Sequence, residues 1–201
     1  PIALLGPASG ILGGLTCRRI MTTIIGVQYA DKAILLADNR VTDDSGRVYS
    51  HPEMVKISER GDFLIAGAGE VSPCDIAQHI WQPPKLTAKD RQDIYHFMIS
   101  KAMPDLRKCL EDNGYNFNEE HDKSKDGLRF QFLIACGGEI FDIDQELAVM
   151  RDSTGFYGIG SGAPYALGAL HAKAKPMKAM EIAAKITAFT APPFLEKVQY
   201  K

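Results

Sequence analysis

The chain has 201 residues, enough for one domain with a sizeable core, and nothing in its composition demands two. Lys and Arg number 23 against 25 Asp and Glu, a net charge of -2 with no basic stripe, which argues against a nucleic-acid binder. Cys17, Cys74, Cys109 and Cys136 lie far apart with no CxxC, so they read as free thiols in a reducing cytosol, and not as a zinc site or a disulfide framework.

Residues 1–21, PIALLGPASGILGGLTCRRIM, carry an apolar run that Pro7 and several glycines break, too short to span a bilayer. Arg18 and Arg19 follow the apolar part, whereas a secretory signal places its positive charge first. The segment reads as an N-terminal extension or propeptide and not as a membrane element, leaving 22–201 as one compact unit. Residues 23–29 and 33–37 read as two strands joined by a turn at 30–32, the second running up to Asp38. A turn at 43–46 (DDSG) precedes short strands at 47–50 and 54–57. A further strand at 62–66 ends in a turn formed by Gly67, Ala68 and Gly69. Ser72 and Pro73 then open a helix, Ser72 as its cap.

After Pro83 and Pro84 the apolar spacing predicts a longer helix over 88–111 that Pro104 kinks or splits. The mixed-charge stretch 119–126 reads as a solvated loop. Strands follow at 129–136 and 139–143, joined through Gly137 and Gly138, then at 147–150 and 156–157. Helices start near Pro164 and span 178–189. Strands, two helices, strands, two helices is an order that suits helix layers outside stacked sheets, an α+β class with mainly antiparallel pairing.

Several residues invite chemistry. Thr22 and Thr23 open the first strand, and a threonine at a chain's own N-terminus carries its base as its α-amine. Asp38 and Arg40 end the second strand; Lys56 sits in Val55-Lys56-Ile57; Gly67 follows Ile65 and Ala66; Ser161 lies between Gly160 and Gly162. Singly, each has an ordinary reading: β-propensity for the threonines, a surface ion pair for Asp38 and Arg40, a solvated lysine, turn glycines. Residues 158–163 also fit the GxGxxG/A dinucleotide pattern. Its required acid, Glu181, falls inside a helix with no apolar strand between, so that reading fails. The histidines at 51, 79, 96, 121 and 171 have no ligand spacing, and no G-x-S-x-G elbow appears.

Taken as an ordered set, Thr22, Asp38, Arg40, Lys56, Gly67 and Ser161 resemble the pattern of the proteasome β-type peptidases, above all the HslV family of N-terminal-nucleophile (Ntn) hydrolases. The resemblance spans 22–201 and implies a four-layer αββα sandwich. It implies a threonine peptidase, needing no cofactor or metal, built into a cytoplasmic ring of copies of itself. A separate ATPase unfoldase would feed that ring polypeptide substrate.

In such a site Thr22 Oγ would attack a peptide carbonyl and its α-amine would take the proton. The Lys56 ammonium would stabilise the ionised nucleophile while Asp38 orients the lysine. The Gly67 amide would bind the developing oxyanion, a contribution of ~2.7–4 kcal/mol, and Ser161 would orient the amine or a water.

Two positions depart from the pattern. Met21 stands where propeptide-bearing active subunits have glycine, and Met-Thr-Thr is how an HslV-type product begins. Residues 190–196, TAPPFLE, lack the later Asp-x-x-Ser. A structural or assembly subunit that keeps its extension is therefore the alternative function, and an Ntn amidase acting on small amides a more distant one.

Overall fold

A computed structural model of the protein describes residues 19–42, 47–49, 55–117 and 129–201. The apolar residues of the extension up to Leu15, the 43–46 turn, Met54, the 119–126 loop, Cys17, His51 and His121 lie outside the described residues.

In chain order, β1 (Arg19–Ile20) leads to the hairpin β2 (Ile24–Gln28) and β3 (Lys32–Asp38). The short pair β4 (Val41–Thr42) and β5 (Val48–Tyr49) follows, then β6 (Ile57–Arg60) and β7 (Phe63–Glu70). Helix α1 (Val71–Asp75) continues as a π-helical turn, Ile76–Ile80. Helix α2 (Ile94–Phe97), a second π turn (Met98–Ala102) and α3 (Met103–Asp112) form one rod. Strands β8 (Phe130–Cys136), β9 (Glu139–Ile143), β10 (Val149–Met150) and β11 (Phe156–Ile159) come next. Helices α4 (Ala163–His171) and α5 (Pro176–Ile186) and the strand β12 (Phe194–Tyr200) complete the chain.

Among the described residues the strands assemble into two main antiparallel sheets. One has the order β1-β7-β8-β9-β10, with β6 also paired to β7; the other has the order β11-β2-β3-β12. Strands such as AILLA and FLIA are apolar at successive positions because both of their faces are buried. In β2, Ile24 faces the other sheet while Ile25 and Val27 face Ala166, Leu170 and Met180 of α4 and α5. In β7, Leu64 and Ala66 face the sheet partner, and Phe63 and Ile65 face Trp81, Phe97 and Leu106 of the first helix layer. Three apolar clusters thus fill the three gaps between four layers, αββα, as the resemblance implies. Each fully buried Ile, Leu or Phe contributes roughly 1.5–3 kcal/mol.

Several elements differ from the sequence reading, each for a local reason. Strand β7 does not turn at Gly67 but runs on to Glu70, because β8 pairs it without a break from Phe63 to Gly69. The strand placed at 54–57 begins only at Ile57. Ser72 is not a cap: α1 starts directly from the strand at Val71, without a side-chain cap. The helix placed over 88–111 starts at Ile94, where the Asp93 carboxylate accepts from the His96 N–H at 2.9 Å. Where a kink or split was expected, a π turn, Met98–Ala102, lies just before Pro104, whose missing N–H interrupts the ladder. Helix α5 begins at Pro176 and stops at Ile186. Strands β1 and β12 were not anticipated. The Gly137–Gly138 turn is as expected, both residues having positive φ.

Candidate active site

The β2–β3 hairpin builds the centre of the site. Its register pairs Ile24 with Ala37, so Asp38, at the end of β3, returns beside Thr23, whose carbonyl accepts the Asp38 N–H at 3.0 Å. Thr22, Thr23 and Asp38 are all buried. One Asp38 oxygen, Oδ1, accepts from Thr22 Oγ1 at 3.0 Å, from the Thr23 N–H at 2.9 Å and from Lys56 Nζ at 2.6 Å. The other, Oδ2, accepts from the Ala191 N–H at 3.4 Å.

Lys56, 5 % exposed, reaches in from the segment before β6 and also donates to the Arg40 carbonyl. Burial pulls its ammonium below the ordinary lysine value, and the charge and hydrogen bond of Asp38 oppose that shift. The lysine and the threonine hydroxyl therefore share one carboxylate oxygen. Arg40 contributes its backbone to this centre, while its guanidinium turns away to the Ala188 carbonyl at 3.1 Å.

Gly67 lies in β7 on the neighbouring sheet. The Ile65 carbonyl is reached from the β6 side by Gln78 Nε2 (3.2 Å), so, two residues on, the alternation of the strand turns the Gly67 N–H to the same outer edge. Along that edge β6 pairs residues 63–66 and β1 pairs Gly69 and Glu70, so among the described residues Gly67 and Ala68 lie between the two ladders. A side chain at 67 would meet Cys74 Sγ at 2.7 Å, which is why α1 can pack so closely on β7. Burial pushes the Cys74 thiol up, so it is inert packing.

Ser161 is exposed and makes no hydrogen bond to Thr22 among the described residues. Its flanking glycines do reach the threonines. Gly160, at φ +86°, carries no Cβ where one would overlap the Thr22 carbonyl; at Gly162 one would overlap both Thr23 Oγ1 and Thr190 Oγ1. Thr190 is a residue the sequence reading passed over: its hydroxyl lies 2.6 Å from that of Thr23. It occupies the stretch where an acid and a serine were missed. Its proximity to Thr23, across a separation of 167 residues, had no local signal.

Beside Thr22 the chain makes a second arrangement. Arg19 and Ile20 form β1, antiparallel to Glu70 and Gly69, on the same edge to which Gly67 points its N–H. Here the Thr22 nitrogen is an amide and cannot serve as a base. No cluster of three or more His, Cys, Asp or Glu side chains suited to a metal occurs among the described residues. Nor, among them, is any helix long and apolar enough to cross a membrane.

Solved structures share this architecture along nearly the whole chain. BPH from Thiobacillus denitrificans is similar at 22% identity and TM-score 0.62, covering 89% of this chain and 98% of that one. HslV from Trypanosoma brucei is similar at 20% identity and TM-score 0.58, covering 90% and 100%. The fold is that of the Ntn hydrolases. The Anbu (Gly-1) mutant from Hyphomicrobium sp. strain MC1 is similar at 16% identity and TM-score 0.59, covering 89% and 82%. No protein-family model matches the chain, and no curated protein matches its sequence. At these identities the likeness establishes the fold, and chemistry has to be argued from the residues.

Proposed function

We propose that the protein is a threonine peptidase subunit of a proteasome-type protease, active once residues 1–21 are removed and Thr22 is the N-terminus. The observation that carries this reading is the shared Asp38 oxygen, which holds the Thr22 hydroxyl and the Lys56 ammonium at one point. Freed of Met21, the Thr22 amine, with an ordinary pKa of about 7.7–8.0, supplies the base. A peptide carbonyl attacked by Oγ1 then places its developing charge towards the Gly67 N–H. Copies of the chain form the cytoplasmic ring, and an ATPase unfoldase delivers the polypeptide.

The test compares three proteins: the full chain, the chain starting at Thr22, and that chain with Thr22→Ala. Only the second should hydrolyse unfolded polypeptide and gain the mass of epoxomicin, the compound bound in one of the similar BPH structures. Equal turnover in the Thr22→Ala protein would remove Thr22 from the mechanism.

A structural subunit that keeps its extension is the second reading, and one observation favours it. Arg19 and Ile20 are already built into the larger sheet through β1. Intact mass of the native protein separates the two: a species starting at Thr22 supports the peptidase, a stable longer chain the structural subunit.

A further inference from the structure

Lys56 lies one residue before β6, so no ladder fixes its backbone. Its carbonyl is held by a side chain instead. Gln78, 5 % exposed in the π turn after α1, donates from Nε2 to the Lys56 carbonyl at 2.7 Å and to the Ile65 carbonyl at 3.2 Å. Both acceptors are carbonyl oxygens, which fixes the orientation of the amide: only its NH2 can face them. Ile65 is two residues before Gly67, so this one amide fastens the lysine to the strand that carries the outward N–H.

The π turn is itself pinned. Arg60, at the end of β6, donates from Nε to the Gln78 carbonyl at 2.9 Å and from its guanidinium to the His79 carbonyl. The wider turn of a π segment brings position 78 inward, next to the exposed His79 and Ile80.

We propose that Gln78 is a positioning residue for Lys56. It clamps the lysine's backbone to β7, so that the ammonium stays on Asp38 beside the Thr22 hydroxyl. The proposal rests on the peptidase reading of the site but makes no use of turnover in its test. With its backbone fixed by Gln78 and its ammonium by Asp38 and the Arg40 carbonyl, Lys56 is held at both ends. Loss of the amide frees one end and lets the lysine move towards water.

The test is made in the full chain. Gln78→Met keeps the length of the side chain and removes both donors; Gln78→Glu is isosteric and replaces them with acceptors. The titration of the Lys56 side chain is followed by carbon-13 NMR, and its rate of acylation by acetic anhydride by mass spectrometry. Unfolding midpoints are recorded alongside to separate stability from position. Wild type should titrate below an ordinary lysine. Both variants should move the titration back towards the ordinary value and, per fraction of neutral amine, acylate Lys56 about tenfold faster or more, while the exposed lysines keep their rates. If Gln78→Met does not fold, Arg60→Met releases the π turn without touching Lys56 and should act in the same direction. An unchanged Lys56 titration and acylation rate in folded variants overturns the proposal and leaves the peptidase reading standing. Absence of peptide hydrolysis overturns the peptidase reading without altering either readout.

Discussion

Asp38 and Asp142 are both acids set into buried strands, and they are treated in opposite ways. Asp38 ends β3 with partners on both oxygens: two N–H groups, a hydroxyl and an ammonium. Asp142 lies in β9 on the face it shares with Ile140, towards the space between the sheets, and among the described residues its buried Oδ1 has no hydrogen-bond partner. Burial, with the nearby charge of Asp144, pushes its carboxyl up to about 6. The difference shows where buried charge is organised in this sandwich. At the Thr22 end desolvation is offset by a full set of donors; at β9 the group keeps its proton to a higher pH, up to about 6.

Breaking the partnered end should have the largest effect. Lys56→Met leaves Asp38 buried without its counter-charge and should cost about 3–5 kcal/mol of stability, read as the urea unfolding midpoint of the full chain. Lys56→Arg should not restore it, since a guanidinium differs in shape and reach. Replacing both partners with apolar residues, Lys56→Met with Asp38→Leu, should recover much of the loss; a double variant no better than the single would show that the charge pair is not the source.

The glycine brace at the same end is the next target. Gly162→Ala forces a methyl group into Thr23 Oγ1 and Thr190 Oγ1. It should cost about 1–3 kcal/mol and separate those two hydroxyls in a crystal structure of the variant. Full stability with the hydroxyl pair intact would mean the loop yields freely.

The unpartnered end should give a smaller effect of opposite sign. The Asp142 carboxyl stays protonated in the folded protein up to about pH 6, whereas in the unfolded chain it ionises near about 3.9. The folded state therefore binds more protons between these values. The resulting stabilisation is complete below about pH 4 and is lost as pH rises through about 6. Asp142→Asn should leave stability near about pH 4 almost unchanged and raise it by about 1–2 kcal/mol at about pH 8, allowing for the partial exposure of the side chain. Thermal melts of the two proteins at both pH values measure it, and parallel curves would contradict it.

How much of this could be read beforehand differed by kind of residue. Strands buried on both faces announce themselves as continuous apolar runs, so β2, β3, β7 and β8 were legible. The edge strand β12 was not, because its hydropathy does not follow its alternating burial: Lys197 and Gln199 are half-buried while Val198 and Tyr200 are exposed. Gly67 and Gly69 looked like a turn from composition, although at Gly67 the requirement is steric, set by Cys74 across the strand–helix contact. Thr22, Asp38 and Lys56 stood out as an ordered set, and the hairpin register explains why the first two meet. Thr190 and Gln78 carried no signal of their own. Their roles exist only once the loop after α5 and the π turn have folded back onto distant segments.

Strand β1 has a quantitative consequence for anything that would lie along the outer edge of β7. Arg19 and Ile20 are joined to Thr22 through Met21 alone, so they occupy that edge as a tethered occupant. A short tether of this kind holds its strand at an effective concentration on the order of millimolar. A free peptide of equal intrinsic affinity would have to reach that concentration to take half of the edge. Cutting the chain before Thr22 turns the same two residues into a dilute competitor, and the edge changes hands without any change in its chemistry.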